Sequence, residues 1–367
     1  MTNKTIVLSA GGTGGHLFPA QSLSEELQKR GFVVDLMTDQ RTDRFTGSFP
    51  AREFYEIPSA TLRGRSPVAI AKTLWTLTRG YRQAKSILRR LQPAAIVGFG
   101  GYPTLPPLFA AASLGKPCLI HEQNAVMGRA NRLLCRRVTA IAKSYVDTRL
   151  LRQGLNTMIY LTGNPVRSQV LALRQVPYIL PKPGETIQLL VFGGSQGARF
   201  FSDSVPAALI GLPEELQARL VVYQQCRPED VARVQSAYGK TAIKANIAPF
   251  FNNLPELMAN SQLIIARSGA STVAELCVIG RPALLVPLPH ALDNDQLMNA
   301  TGMEKGGGAW CLEESGLTPE GLTEFFHARL QNGEELAAAA AAAHKLGKPD
   351  AVLHLADIVE KLTGSGD

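Results

Sequence analysis

Two glycine-rich turns lie about half a chain apart and match position for position. Gly11-Gly12-Thr13-Gly14-Gly15 follows the apolar run Ile6-Val7-Leu8, and Gly193-Gly194-Ser195-Gln196-Gly197 follows Leu189-Leu190-Val191-Phe192. Each reads as a buried strand, a Gly-Gly-hydroxyl-x-Gly turn and the start of a helix. One such turn is common in α/β proteins. Two in the same register predict twin doubly wound, Rossmann-like parallel-sheet domains facing a shared central cleft, with one substrate for each.

The rest of the chain fits that plan. Strands are predicted at 4–10, 32–38, 94–99, 117–121, 138–142 and 158–162, then at 187–192, 219–224, 244–248, 262–266, 283–287 and 309–312. Helical segments alternate with them, as in a parallel sheet covered on both faces. Gly163-Asn164-Pro165 and the proline-rich stretch from Pro177 to Pro183 mark a linker. The predicted domains are 1–163 and 164–345, followed by a C-terminal segment, 346–367, expected to pack back on the first domain.

At 367 residues the chain can bury two full cores. Its five cysteines, Cys118, Cys135, Cys226, Cys277 and Cys311, are scattered and form no C-x-x-C pair. That pattern points to reduced thiols in a cytosolic setting, with neither a disulfide framework nor a zinc site. Charged Lys4 and the first glycine turn arrive too early for a signal peptide.

Charge divides the chain. Residues 1–165 hold 22 Lys/Arg against 9 Asp/Glu, whereas the remaining 202 hold 16 against 21. No acid occurs between Glu56 and Glu122, an interval that carries Arg63, Arg65, Lys72, Arg79, Arg82, Lys85, Arg89, Arg90 and Lys116. On a helix, Leu74, Leu77, Tyr81, Leu88 and Leu91 fall near one face with basic flanks. A core helix with a solvated rim accounts for the periodicity, and an anionic partner accounts for the missing acids. A membrane surface suits segment 57–121 better than nucleic acid, for which there is no recognition helix, zinc finger or aromatic RNA platform. The uncharged stretch from Leu91 to Gly115 is long enough for a bilayer, but Pro93, Pro103, Pro106, Pro107 and four glycines interrupt it. It reads instead as a strand, a loop and a short apolar helix near Leu108–Leu114.

Several clusters can carry chemistry. Counting from Gly12, the sixth position of a dinucleotide fingerprint is Leu17, so the first turn fails that pattern although Asp39 ends the second strand. His16 opens the helix beside the glycines, where an imidazole serves either as a base or as a structural group. The second turn offers backbone donors and the Ser195 hydroxyl, which suit a diphosphate without a metal. Arg267-Ser268-Gly269-Ala270-Ser271-Thr272-Val273-Ala274-Glu275 places small residues at a helix start, where a phosphate is favoured, and Glu275 about one turn further in. There Glu275 can accept from both ribose hydroxyls or act as a simple first-turn acid. Asp293-Asn294-Asp295 has the look of a D-x-D metal site, yet capping and sugar contacts through Gln296 explain it as well, and no metal is expected. Gly100-Gly101-Tyr102-Pro103-Thr104 and His121-Glu122-Gln123-Asn124 each follow a strand and project into the cleft. Glu122 stands alone as an acid in a basic region, so pairing with Arg129 or Arg132 is its alternative role.

These residues together resemble one family. Gly-Gly-Thr-Gly-Gly-His-x-x-Pro at 11–19, Gly-Gly-Tyr at 100–102, His-Glu-Gln-Asn at 121–124 and Thr-Gly-Asn-Pro-Val-Arg at 162–167 match the MurG glycosyltransferases. So do Gly-Gly-Ser-Gln-Gly-Ala at 193–198, Arg-Ser-Gly-Ala at 267–270 and Asp-Asn-x-Gln with Asn-Ala at 293–300. The resemblance implies a GT-B architecture and transfer of N-acetylglucosamine from UDP-N-acetylglucosamine to the 4-hydroxyl of the muramyl sugar of lipid I, giving lipid II. It implies an inverting displacement, with His16 the first candidate base and Glu122 the second. It implies donor contacts from Arg167, Ser195, Gln196, Gly197, the Phe251 backbone, Ala270, Ser271, Thr272, Glu275 and Gln296. Gly12, Thr13, Gly14, Gly15, His16, Tyr102, Glu122 and Asn124 form the implied acceptor side, with Thr13, Gly14, Gly15 and Asn124 also reaching the donor. No cofactor is implied, and the expected location is peripheral, on the cytoplasmic face of the plasma (inner) membrane. Two departures stand out: Phe251-Asn252-Asn253 replaces Phe-apolar-Asp-Asp, and Asp295 replaces a common His or Gln.

Three other readings compete. A nicotinamide or flavin oxidoreductase would use the first turn and Asp39. A non-hydrolysing UDP-N-acetylglucosamine 2-epimerase would share the two-domain plan and the sugar nucleotide. A non-catalytic adaptor for nucleic acid or membrane would explain the charge but leave the second turn and Glu275 idle.

Overall fold

Strand pairing among the described residues is parallel throughout, in a seven-stranded and a six-stranded sheet. The computed structural model describes residues 4–11, 14–39, 49–61, 66–194, 197–289 and 291–364. The chain forms two compact units, one of residues 1–167 with 348–367 and one of residues 168–347.

The first unit runs β1 (Thr5–Ser9), α1 (Gly14–Lys29), β2 (Val33–Thr38), β3 (Phe54–Glu56), α2 (Pro67–Leu91), β4 (Ala95–Gly98) and α3 (Leu105–Ser113). It continues with β5 (Cys118–Glu122), α4 (Arg129–Leu134), β6 (Ala140–Lys143) and β7 (Met158–Leu161). The sheet order is β3-β2-β1-β4-β5-β6-β7, so the winding reverses between β1 and β4. Side chains alternate across a strand, and both faces are covered, which is why the strands read as unbroken apolar runs. Ile6 and Leu8 join Leu23, Leu27, Leu355 and Val359 in one core, while Val7 joins Ala84, Leu88 and Leu108 in the other.

The second unit runs α5 (Ser168–Ala172), β8 (Ile187–Phe192), α6 (Arg199–Ile210), α7 (Glu214–Gln217), β9 (Leu220–Gln225), α8 (Val231–Tyr238), β10 (Lys244–Ala248) and α9 (Leu254–Asn260). It continues with β11 (Leu263–Ala266), α10 (Ala270–Ile279), β12 (Ala283–Leu285), α11 (Asp295–Lys305), β13 (Ala309–Cys311), α12 (Pro319–Gln331) and α13 (Gly333–Leu346). Its order, β10-β9-β8-β11-β12-β13, reverses between β8 and β11. The two glycine turns therefore follow equivalent strands, each at the reversal point where such sheets bind ligands.

The last helix, α14 (Ala351–Leu362), belongs to the first unit. Arg30 at the end of α1 bonds Asp357 at 2.7 Å and Glu360 at 2.8 Å, and Lys4 Nζ donates to the Thr363 carbonyl at 2.9 Å.

Two details differ from the sequence reading. β3 has no counterpart there, because a three-residue edge strand leaves too short a pattern to register. In α2 the inner face is carried by Gly80, Ala84 and Leu88, while Leu74 is 58% exposed. The supporting surface ends before the first turns of α2, so Val68, Ile70, Leu74 and Trp75 face outward. Residues 91–115 resolve into the end of α2, β4, a short 3-10 turn and α3, and no described helix is long and apolar enough to cross a membrane.

Candidate active site

In the first unit, the loops after β1, β4, β5 and β7 carry most of the candidate residues. His16 lies in the first turn of α1, half-buried, and its Nδ1 is 3.3 Å from Gln123 Oε1. Gly100 and Gly101 have φ of 84° and 73°, and a Cβ on either would sit 3.4 Å and 3.3 Å from the imidazole ring. Only glycine accepts those dihedrals cheaply and also lets the backbone lie against the ring. Burial lowers the His16 pKa below the ordinary imidazole value, opposed by the Gln123 oxygen and the Phe99 carbonyl beside the ring. The group is thereby kept as a neutral acceptor of protons.

Glu122 is buried at 2% exposure. Its Oε1 accepts from the Asn124 amide at 3.0 Å, and its Oε2 accepts from the Gly128 amide at 2.9 Å and Asn131 Nδ2 at 2.8 Å. Burial raises its pKa, and these donors pull it back. A carboxylate so fully engaged anchors the loop 123–128 that presents Asn124. The hydrogen-bond partners that hold it are amides, where the sequence offered Arg129 or Arg132.

Around this core the Tyr102 hydroxyl donates to Asp39 Oδ2 at 3.1 Å, so Asp39 braces a candidate acceptor residue. The Arg167 guanidinium lies 4.7 Å from the Phe18 ring centroid. Asn131 Oδ1 and both side-chain polar atoms of Asn164 are buried without a hydrogen-bond partner among the described residues. Such atoms are uncommon in folded proteins, and they add Asn131 and Asn164 to the candidates. In the sequence Asn164 shows only as part of its motif, and Asn131, isolated on a short helix, carries no local signal.

In the second unit, Gly193 makes the turn after β8 so tight that a Cβ would sit 2.3 Å from the Ala198 nitrogen. The Gly193 amide donates to Gln225 Oε1 at 3.2 Å, and Gln225 Nε2 donates to the Pro249 carbonyl at 3.2 Å. Gln225 thus joins the glycine turn to the segment leading into Phe251, whose ring meets Tyr223 edge-on at 6.1 Å. The signal for Gln225 in the sequence is a polar pair, Gln224-Gln225, ending an apolar strand.

After β11, Arg267 is 8% exposed and donates to the Val286 and Pro287 carbonyls at 3.2 and 3.0 Å and to Glu314 at 2.5 Å. Helix α10 begins at Ala270 and carries Ser271, Thr272 and the buried Glu275. Gln296 opens α11 and accepts from the Leu288 amide at 3.0 Å through Oε1, and its carbonyl accepts from Ser268 Oγ at 2.8 Å. Asp293 and Asn294 before it hold φ of 62° and 54°. Two successive non-glycine residues in that region are strained. Burial raises the Asp295 pKa. Among the described residues, no group of three His, Cys, Asp or Glu is placed to hold a metal.

Of the sequence candidates, Gly14, Gly15, His16, Tyr102, Glu122, Asn124 and Arg167 lie in the first unit, and Gly197, Phe251, Ala270, Ser271, Thr272, Glu275 and Gln296 in the second. Gly12, Thr13, Ser195 and Gln196 lie outside the described residues.

Residues 6–143 match the glycosyltransferase family 28 N-terminal domain, and residues 188–355 the glycosyltransferase family 28 C-terminal domain. The structure is similar to the crystal structure of Acinetobacter baumannii MurG, with a TM-score of 0.79 and 28% identity, over 98% of this chain and 99% of that one. The chain is also 51% identical over 357 residues to the Brucella abortus (strain S19) UDP-N-acetylglucosamine--N-acetylmuramyl-(pentapeptide) pyrophosphoryl-undecaprenol N-acetylglucosamine transferase, covering 97% of this chain and 94% of that protein. The chain belongs to the MurG family. The MurG motifs read from the sequence fall at the carboxyl ends of strands in both units, except Asp-Asn-x-Gln with Asn-Ala, which leads into α11. UDP-GlcNAc 2-epimerase from Neisseria meningitidis bound to UDP-GlcNAc shares the fold, with a TM-score of 0.68 over 97% of this chain and 100% of that one, but at 14% identity the likeness is of fold alone.

Proposed function

We propose that this chain is the glycosyltransferase that moves N-acetylglucosamine from UDP-N-acetylglucosamine to the 4-hydroxyl of the muramyl sugar of lipid I, forming lipid II with a β-1,4 link. The observation that carries this is the 51% identity over 97% of the chain to an enzyme of that name. Both substrate-side motifs lie at the reversal point of their own sheet, which supports the assignment.

In this reading, attack by the acceptor hydroxyl forms the new C–O bond as the bond to UDP breaks. His16 takes the hydroxyl proton, since its imidazole is neutral and oriented, whereas Glu122 is occupied in holding its loop. Charge grows on the departing diphosphate. The N-termini of α6 and α10 and the amides of the glycine turn at 193–197 stabilise it without a metal. Glu275 holds the ribose, the Phe251 backbone reads the uracil, Gln296 meets the sugar hydroxyls, and Arg167 and Asn124 supply donor contacts from the first unit. Residues 1–163 serve the acceptor and 164–345 the donor.

The acceptor is lipid-borne, and α2 provides the means of reaching it. Val68 at 78%, Leu74 at 58% and Trp75 at 64% exposure stand beside Lys72 and Arg79 with no nearby acid on that helix. Such a face binds peripherally to anionic lipid, here the cytoplasmic leaflet of the plasma membrane. The test is transfer of radiolabel from UDP-N-acetylglucosamine into the lipid phase with a lipid I analogue. Label remaining in the aqueous phase, or epimerised sugar nucleotide formed without acceptor, would refute the assignment.

A further inference from the structure

Behind His16 lies a chain of buried side chains. His121 and Gln123 are buried at 0% and 1% exposure. His121 Nε2 lies 3.0 Å from the Gly163 carbonyl, Gln123 Nε2 lies 3.0 Å from His121 Nδ1, and Gln123 Oε1 lies 3.3 Å from His16 Nδ1. Gln123 Nε2 also donates to the His121 carbonyl at 3.2 Å.

The direction of every bond in this chain follows from its far end. A carbonyl oxygen only accepts, so His121 carries its proton on Nε2. Burial drops the His121 pKa to about 4, so that ring holds a single proton near neutrality and its Nδ1 accepts. The Gln123 amide nitrogen must therefore face His121, which turns its oxygen towards His16. Facing an acceptor, His16 Nδ1 is the donor, and the ring's lone pair resides on Nε2.

We propose that Gln123 and His121 are positioning residues that lock His16 in its Nδ1–H tautomer and thereby reserve Nε2 for the proton of the acceptor hydroxyl. Free neutral imidazole in a histidine side chain prefers the proton on Nε2, which would leave the reactive nitrogen blocked. The backbone carbonyl of Gly163, at the linker end of the first unit, sets the polarity of the chain. When Nε2 takes up a proton, Gln123 Oε1 continues to accept from Nδ1, so the amide need not turn during the reaction. This inference rests on the reading of His16 as the base.

The experiment is a two-bond nitrogen–proton correlation spectrum of the full-length protein labelled with 15N-histidine, at a pH above the His16 titration, with His16 assigned from a His16→Asn sample. The expected spectrum shows His16 protonated at Nδ1 and bare at Nε2. In Gln123→Met the proton moves to Nε2, while Gln123→Glu, which keeps an oxygen facing Nδ1, retains the original tautomer. In parallel, Gln123→Met lowers kcat at least about tenfold with KM for UDP-N-acetylglucosamine within about twofold, and Gln123→Glu recovers part of that loss. A wild-type His16 protonated at Nε2, directed at the Phe99 carbonyl for example, overturns the proposal. So does Nδ1–H persisting in Gln123→Met. Normal turnover by His16→Ala is a separate failure, that of the base assignment, and is read from kinetics without reference to the spectrum.

Discussion

The Arg167 guanidinium rests 4.7 Å over the ring of Phe18, tying the segment after β7 to the helix that follows the first glycine turn. A cation over an aromatic face contributes about 1 kcal/mol. Phe18→Leu removes this contact and is expected to raise KM for UDP-N-acetylglucosamine about fivefold, with kcat little changed. Initial-rate kinetics at saturating acceptor decide it, and a fall in kcat alone would contradict this placement of Arg167.

His121 makes stability depend on pH. Its pKa is lowered to about 4 by burial, so below the ordinary imidazole value the unfolded chain binds a proton that the folded chain refuses. Stability from this group is complete at neutral pH and is lost as pH falls from about 6.5 towards 4, amounting to about 2 kcal/mol between pH 7.5 and 5. Glu122, raised by burial, acts with the opposite sign, its contribution being lost as pH rises through its folded value. Urea titrations of wild type and His121→Gln separate the two, and the variant is expected to show the shallower acid slope.

Gly101 has φ of 73°, and a Cβ there would meet His16 Cδ2 at 3.3 Å. With ψ of 160° as well, Gly101 sits in a region essentially reserved for glycine, so Gly101→Ala costs about 1–3 kcal/mol of backbone strain and pushes the imidazole aside. Turnover is expected to fall at least about tenfold while the protein stays folded, as judged by circular dichroism and kinetics together.

Arg281 is 2% exposed, and its hydrogen-bond partners among the described residues are backbone carbonyls. It donates to the carbonyls of Ala259, Ile279, Gly280, Val176 and Pro177, with Tyr178 5.7 Å beneath it. Arg281→Leu strands several buried acceptors, each costing about 1–3 kcal/mol. A loss of about 3 kcal/mol or more is expected for the second unit, and Arg281→Lys recovers only part of it. Calorimetry resolves this as a drop in one transition.

Charge reversal at Arg79, Arg82 and Arg89 removes attraction of about 1 kcal/mol per basic residue near an anionic surface. Sedimentation with anionic vesicles is expected to show at least about tenfold weaker binding, with UDP affinity unchanged. Equal binding by the variant would disconnect α2 from the membrane.

The fold was largely legible because parallel strands buried on both faces leave contiguous apolar runs. Ile6-Val7-Leu8 and Leu189-Leu190-Val191-Phe192 announce themselves without reference to any partner. Residues that matter through contacts distant in sequence were not legible. Gln225 acts by reaching residues 193 and 249, and Asn131 by reaching Glu122, and no local spacing encodes either pairing. Leu74 misled for a related reason. Helical periodicity reports which residues share a face but not how far along the helix the supporting surface extends.

The packing of α14 against α1 has a consequence for biosynthesis. Leu355, Ala356, Ile358 and Val359 complete a layer whose other members lie between Ile6 and Ala142 and so were translated well before them. The lobe begun first at the ribosome must wait, one flank uncovered, until the final helix emerges, while the lobe encoded between can condense beforehand. Truncation by even a dozen residues at the carboxyl end would accordingly injure the amino-terminal lobe and spare its neighbour.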